Sequence, residues 1–350
     1  MNVFDFTLIC AFIQLGYQNP LSSSTLKPNV LVVEVNGALG QQALKCLHSA
    51  EEVMRGDDKD ILWKKNGAEE AQRGNSYLVQ LEESLGGGNY SCYSKDGSLL
   101  NHTLVLIQEG NTDKRKILVK SDLGNYLKCS TKNFEGAFHC SWTWDRFRVG
   151  KVELIIAKRE RSCSVDTSGH RSACNFSCSE DGTGHGISCV DEHYCAYAEE
   201  NSRINVTVYV RTDDFLVERY EKLFFLSEIV KPDKVKIRRV NPTTMEWTYP
   251  SSWSSPYSYF PLTFEVLERR RGCKTCDKPC HESASAKNIT VHSLSTCQFE
   301  VKRKSGIFCV RAKDALCHSQ WSEWSHLRMR KRRKNIKSVP AIKADNVCST

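Results

Sequence analysis

Cysteine dominates the chemistry open to this 350-residue chain, which carries seventeen of them. Thiolates at close spacing bind zinc, and one cluster, Cys273-x2-Cys276-x3-Cys280-His281, has a suitable ligand set. In an oxidising compartment the same thiols pair with one another, so cystines are expected there and no metal. The chain lacks a nucleophile elbow, a His-Glu-x-x-His motif and a phosphate-cradling loop, which argues against an enzyme and against any cofactor. Ser, His and Asp residues are scattered, and nothing in their spacing brings them together. What remains is the chemistry of recognition. In Trp321-Ser322-Glu323-Trp324-Ser325 two indoles stand three residues apart. On the preceding strand, Ile307 to Lys313, alternation sends Phe308, Val310 and Ala312 to a core and Arg311 and Lys313 outward. Trp321 and Trp324 can then sandwich the Arg311 guanidinium, at about 0.5–2 kcal/mol per cation–π contact.

Several features place these groups outside the cell. Residues 1–18 read as a signal peptide: Phe4 to Leu15 is mostly apolar, too short to span a bilayer, and followed by a cleavage region near Gly16 to Gln18. No Lys or Arg precedes it, which departs from the usual pattern. Five Asn-x-Ser/Thr sequons, at Asn89, Asn101, Asn175, Asn205 and Asn288, fit secretion and mark candidate glycosylation sites. Asn89 is the least favourable acceptor, because it lies within an expected strand beside Cys92. The net charge is +8, and six positive charges fall between Arg328 and Lys334. That asymmetry describes a near-neutral protein with a basic tail over 331–350. Nucleic-acid binding is not expected, and the tail suits heparan sulfate or a solvated role.

The elements that must position these residues are strands. Val206, Val208 and Val210 alternate with polar neighbours, as do Leu262, Phe264 and Val266. Asn66-Gly67, Asp96-Gly97 and Asp181-Gly182 punctuate them, and convincing amphipathic helices are scarce. The expected fold is all-β, with three tandem β-sandwich modules. Gln108 to Lys116 and Lys231-Pro232-Asp233 separate an immunoglobulin-like module (20–108), a second module (109–230) and a third (231–330). In the first, Cys46, Trp63 and Cys92 follow the order Cys…Trp…Cys, and Tyr90 stands two residues before Cys92, the tyrosine-corner position. A bridge between Cys46 and Cys92 contributes about 3–4 kcal/mol.

Cys129 and Cys140, followed by Trp142, resemble the first half of the class I cytokine-receptor signature, and Trp321 to Ser325 resembles the same family's Trp-Ser-x-Trp-Ser box. That makes modules two and three fibronectin type III domains. No membrane span follows. This order resembles the soluble interleukin-12 beta-subunit family, shared by interleukin-12 and interleukin-23. The most telling stretches are Lys128 to Phe134, Trp247 to Pro250, Tyr257 to Phe264 and Val310 to Asp314.

The resemblance implies a secreted subunit of a heterodimeric cytokine. It would dock a four-helix-bundle alpha subunit at the bend between modules two and three and present it to cell-surface receptors. Phe134 and Tyr259 match aromatic contact positions, Glu199 is a further contact, and Asp314 matches an acid that pairs with an arginine of the helical subunit. Cys195 matches the cysteine bonded to the partner, and Cys189 one end of an internal bridge. On the residues alone, Cys195 has Cys174 or Cys178 as internal alternatives, and Asp314 reads as an ordinary loop acid. Cys163, Cys174 and Cys178 stay unpaired at this level. Cys273, Cys276, Cys280, Cys309 and Cys317 are additional to the family pattern; Cys309 with Cys317 would close a hairpin, and Cys297 would reach Cys348. The rival function is a soluble decoy that captures a helical cytokine reversibly.

Overall fold

A computed structural model describes residues 22–36, 40–48, 60–81, 85–110, 116–159, 164–165, 171–172, 176–192, 194, 202–253, 260–269, 275–277, 290–294, 296–302 and 306–329. Their regular secondary structure is nearly all strand, with a four-residue helix at Leu226–Ile229 and a 3-10 turn at Ser251–Trp253. They gather into two compact units. The first takes the described residues up to Tyr126 together with Thr143–Ile155 and Val208–Tyr220; the second takes Leu127–Trp142, Ile156–Thr207 and the described residues from Glu221 onward.

In the first unit a six-stranded sheet runs in the order Ser23–Lys27, Val30–Val35, Leu99–Glu109, Gly88–Tyr93, Leu62–Lys65, Ala68–Arg73. Gly40–Lys45 and Ser76–Leu81 form a facing pair. Strict alternation along Ser76–Leu81 buries Tyr77, Val79 and Leu81 and exposes the residues between, as a half-buried strand requires. Asn66 and Gly67, at φ 51° and 86°, make the tight turn between Leu62–Lys65 and Ala68–Arg73, a conformation natural to an Asn-Gly pair. Cys46 and Cys92 form the expected bridge, with Cys92 in register beside the buried Trp63. The Tyr90 hydroxyl donates to the Gly86 carbonyl at 2.7 Å, which closes the tyrosine corner, and burial pushes its phenol up.

The same unit ties these strands to later chain. Val30, Val32, Leu106 and Val217 form a second apolar cluster, packed by Leu104, Tyr209 and Phe215. The Ile107 amide donates to the Phe215 carbonyl at 2.9 Å. Glu153 receives Lys27 at 2.5 Å and Arg211 at 2.6 Å. Buried Glu218 accepts the Lys116 amide at 2.7 Å and the Ile117 amide at 3.0 Å, and the Tyr220 hydroxyl accepts the Leu118 amide at 2.8 Å. Sequence reasoning treated Gln108 to Lys116 as a separator, yet its far end is clamped by a carboxylate. Removing that acceptor strands two amides, so Glu218→Ala is expected to cost about 2–3 kcal/mol. Glu218→Gln keeps one acceptor oxygen and should cost less. Thermal unfolding of both variants checks this, and an unchanged midpoint for the alanine variant rejects the clamp.

In the second unit a four-stranded sheet runs Phe176–Glu180, Gly186–Asp191, Ala137–Ser141, Lys128–Ser130. Cys129 bridges Cys140 and Cys178 bridges Cys189, each across a registered antiparallel pair. The second bridge closes one alternative, since Cys178 is not available to Cys195. Beyond Lys231-Pro232-Asp233, the sheet Lys236–Arg239, Thr244–Thr248, Gln298–Glu300 faces a sheet ordered Thr290–Leu294, Leu262–Arg269, Gly306–Asp314, Ser325–Met329. Trp247, Phe264 and Phe308 fill the space between.

One cysteine expectation needs correction. Cys309 pairs with Cys276, not with Cys317, because Cys309 faces away from the central core into a small cluster with Leu267, Ile307 and Cys276. That bridge also removes a thiolate from the cluster considered for zinc. Cys297 is disulfide-bonded, and its expected partner Cys348 lies outside the described residues. The signal peptide, the basic tail and Cys163, Cys174, Cys273 and Cys280 lie outside them too.

Candidate functional site

The turn from Thr131 to Gly136 carries the first site residue. Thr131 Oγ1 donates to the Asn133 and Ala137 carbonyls, and Asn133 Oδ1 accepts the Glu135 amide at 3.0 Å. The turn closes at Gly136, with φ 80°. A Cβ there would meet the Tyr194 Cβ at 2.6 Å and the Asp191 carbonyl oxygen at 2.7 Å, so only glycine fits. Held this way, Phe134 is fully buried. It packs edge-on against Trp253 and Phe260, with ring centroids 5.9 and 5.6 Å away. Asn133 Nδ2 donates to the Ser252 carbonyl at 2.9 Å, and the Trp253 indole donates to the Phe260 carbonyl at 2.9 Å. Trp253 thus fastens together the two ends of the stretch that includes Tyr259, which itself lies outside the described residues.

Phe260 leads into the strand Leu262–Arg269, whose first residue is in register with Asp314. The Asp314 side chain is wholly shielded from solvent. Its Oδ1 accepts the Leu316 amide at 2.7 Å and the Cys317 amide at 2.8 Å, while Oδ2 is buried with no hydrogen-bond partner among the described residues. Burial pushes this carboxyl up, and the Cys317 and Leu316 amides, with the Cys317 side chain, oppose the shift. Leu316, on the turn the carboxylate holds, is 68% exposed. A buried acid with one oxygen engaged by amides and the other without a hydrogen-bond partner among the described residues is an acceptor suited to a guanidinium. Trp253, Phe260 and Leu316 were not singled out as contacts from sequence; Phe260 stood inside a stretch already quoted, whereas Trp253 needed the 3-10 turn to be seen.

The strand that ends at Asp314 also carries the Trp–Arg stack. The Arg311 guanidinium lies 4.7 Å from the Trp321 ring and 4.5 Å from the Trp324 ring, and it also pairs with Glu265. Lys313 adds a contact at 5.0 Å to Trp321. Ser322 zips the box to the strand, its amide donating to the Ala312 carbonyl at 2.7 Å and its hydroxyl accepting the Ala312 amide at 2.9 Å. This is the expected structural role, with one difference: Ile307 and Cys309, on the Arg311 side of the strand, are buried as well.

A buried ion pair braces the far side of the Phe134 turn. Arg159 Nη2 contacts Asp191 Oδ2, Arg159 Nη1 donates to the Ser202 carbonyl at 3.3 Å, and the Asp191 amide donates to the Gly136 carbonyl at 3.0 Å. Cys195 and Glu199, expected to touch a partner, follow this strand end but lie outside the described residues. Of the sequons, Asn89 is exposed, Asn101 and Asn205 are half-buried, and Asn175 and Asn288 are outside.

Cystines at this density belong to secreted chains, and no helix among the described residues is long and apolar enough to cross a membrane. Residues 124–212 match the family described as cytokine interleukin-12p40 C-terminus. Proteins named interleukin-12 subunit beta are similar over 86% of this chain and 91% of their own length: that of Sigmodon hispidus is 29% identical over 321 residues, that of Homo sapiens 28% over 321 and that of Felis catus 28% over 322. Those relatives are cytokine subunits and not enzymes. The paired cystines, the stacked box and this near full-length similarity agree in making the chain similar to the interleukin-12 beta subunits.

Proposed function

We propose that this chain is the secreted beta subunit of a heterodimeric cytokine. It grips a four-helix-bundle alpha subunit where the Phe134 turn meets the third module and presents it to cell-surface receptors. The observation that carries the reading is the buried Oδ2 of Asp314, without a hydrogen-bond partner among the described residues, at the end of a strand in register with the one that follows Phe260 of the Phe134–Trp253–Phe260 cluster. An unpaired buried carboxylate is unfavourable in the isolated chain and becomes an asset once a cation fills the gap. Phe134 stiffens the wall from behind, Tyr259 and Glu199 add contacts to the partner, and Cys195 adds a covalent bond to it. The immunoglobulin-like module is free for a receptor, and the basic tail can hold heparan sulfate near the cell surface.

Co-expression with a helical subunit followed by non-reducing electrophoresis is the direct test. The wild-type chain is expected to migrate as a disulfide-linked heterodimer, and Cys195→Ser as separate chains that still co-purify, since the acid and its aromatic wall hold much of the affinity. Persistence of the linked species in Cys195→Ser would remove Cys195 from the scheme. A wild-type chain that binds the helical protein only reversibly would favour the decoy role.

A further inference from the structure

The first unit carries two sequons one strand apart, and the fold uses their asparagines in opposite ways. Asn101 is built in: its Nδ2 donates to the Cys46 carbonyl at 2.9 Å, and its Oδ1 accepts the His102 amide at 2.8 Å. It also sits in register with Cys92, so its side-chain amide ties the strand Leu99–Glu109 to Cys46 while its main chain lies beside Cys92, the other half of the cystine. Asn89 points outward on Gly88–Tyr93. Its main chain exchanges bonds with Asn66 at 2.8 Å each way, while its side chain makes no hydrogen bond among the described residues.

We propose that Asn89 carries the N-linked glycan of this module and that Asn101, despite an equivalent signal, is a structural amide left unmodified in the folded protein. This reverses the ranking drawn from sequence, where a position inside a strand counted against Asn89. What matters is the face of the strand. Asn89 shares the outer face with Ser91, and Ser91 stands in register with Lys64 and His102.

The donor is a lipid-diphosphate-linked oligosaccharide in the secretory pathway. The side-chain nitrogen bonds to the anomeric carbon, the bond from that carbon to diphosphate oxygen breaks, the amide gives up one proton, and lipid diphosphate leaves; no redox change occurs. Transfer to the nascent chain can reach either asparagine, and folding sorts the products. At Asn89 the sugar extends into water and disturbs no native hydrogen bond. At Asn101 the substituted nitrogen must carry a sugar ring while staying within bonding distance of a main-chain carbonyl beside the core cystine. A chain modified there keeps a single N–H on that nitrogen and must hold it on the carbonyl against the bulk of the sugar, or leave the carbonyl without its donor. A glycan on Asn89 would also cover the sheet face around Lys64, Ser91 and His102, leaving it unsuited to protein docking.

Ser91→Ala and Thr103→Ala each erase one sequon and leave its asparagine in place, and both can be made in the full chain secreted from mammalian cells. Peptide N-glycosidase digestion in heavy-oxygen water converts each formerly glycosylated Asn to a mass-labelled Asp. The expected result is label at Asn89 and none at Asn101, with a mobility gain for Ser91→Ala and none for Thr103→Ala. Asn101→Gln should lower the unfolding temperature without changing mobility; should it fail to secrete, Thr103→Ala still reports occupancy. Label at Asn101 in the secreted, folded protein, or an unlabelled Asn89, overturns the proposal.

Discussion

Asp314→Ala is expected to weaken assembly with a helical subunit by about 2–4 kcal/mol, the range for truncating one partner of a desolvated charge pair. At roughly 1.4 kcal/mol per decade that is a loss of about 30- to 1000-fold in affinity. The two carboxylate oxygens do different work, so the conservative variant is the sharper probe. Oδ1 orders the turn that displays Leu316, through the Leu316 and Cys317 amides. Asparagine keeps that acceptor and loses the charge. Asp314→Asn is therefore expected to hold the turn and the unfolding temperature while losing most of the affinity. The free chain should even gain slightly, because a buried carboxylate with an idle oxygen has been neutralised. Titration calorimetry against the helical subunit separates the outcomes: wild-type affinity in Asp314→Asn removes the charge from the mechanism.

The same residue sets a pH dependence. Burial raises the Asp314 carboxyl in the free chain, and a cation bound to it must pull it down again. In the proposed docking the ionised form is the one that binds. Affinity should be full above the free-chain pKa and should fall as pH drops through it, with a proton taken up on dissociation in that window. Asp314→Asn should flatten this part of the profile; an unchanged profile in the variant would assign the titration to another group.

How much of this was written in the sequence depends on how local the determinant is. The Cys46–Trp63–Cys92 core and the tyrosine corner were legible because strand alternation and fixed offsets dictate them. The Arg311 stack was legible for the same reason, since period 2 on one strand and a three-residue spacing on the next segment leave little freedom. A cue for Cys178–Cys189 was present and unused: both bridges in that sheet span eleven residues, the separation of facing positions on neighbouring antiparallel strands. Cys276–Cys309 had no such cue, because thirty-three residues separate its ends and only the rear face of the Gly306–Asp314 strand brings them together. The burial of Phe134 was equally hidden. It depends on Trp253 and Phe260, more than a hundred residues away, and no periodicity connects them. The clamp of Glu218 on Lys116 and Ile117 lies at a similar distance and turns a polar separator into a fixed joint.

Arg159→Ala is expected to produce the largest loss of stability, about 3–5 kcal/mol, because it leaves the Asp191 charge buried without its counter-ion. Side-chain exposure is 6% for Arg159 and 0% for Asp191, so water cannot take the place of the guanidinium. The pair is a poor source of stability in itself, since desolvating both ions offsets much of their attraction. A double variant, Arg159→Met with Asp191→Asn, should accordingly recover most of the loss. If the pair only held the fold, function would recover with it. The Asp191 amide, however, donates to the Gly136 carbonyl, and Gly136 ends the turn that seats Phe134. The strand that ends at Asp191 also leads toward Cys195. The double variant is therefore expected to regain its unfolding temperature yet form the proposed intersubunit disulfide more slowly, since the charge that fixed the strand end has gone. Time-resolved non-reducing electrophoresis alongside calorimetry distinguishes the two roles. Full recovery of both would make the pair purely structural, and failure of Arg159→Ala to lower the midpoint would mean that the salt bridge is not buried in solution.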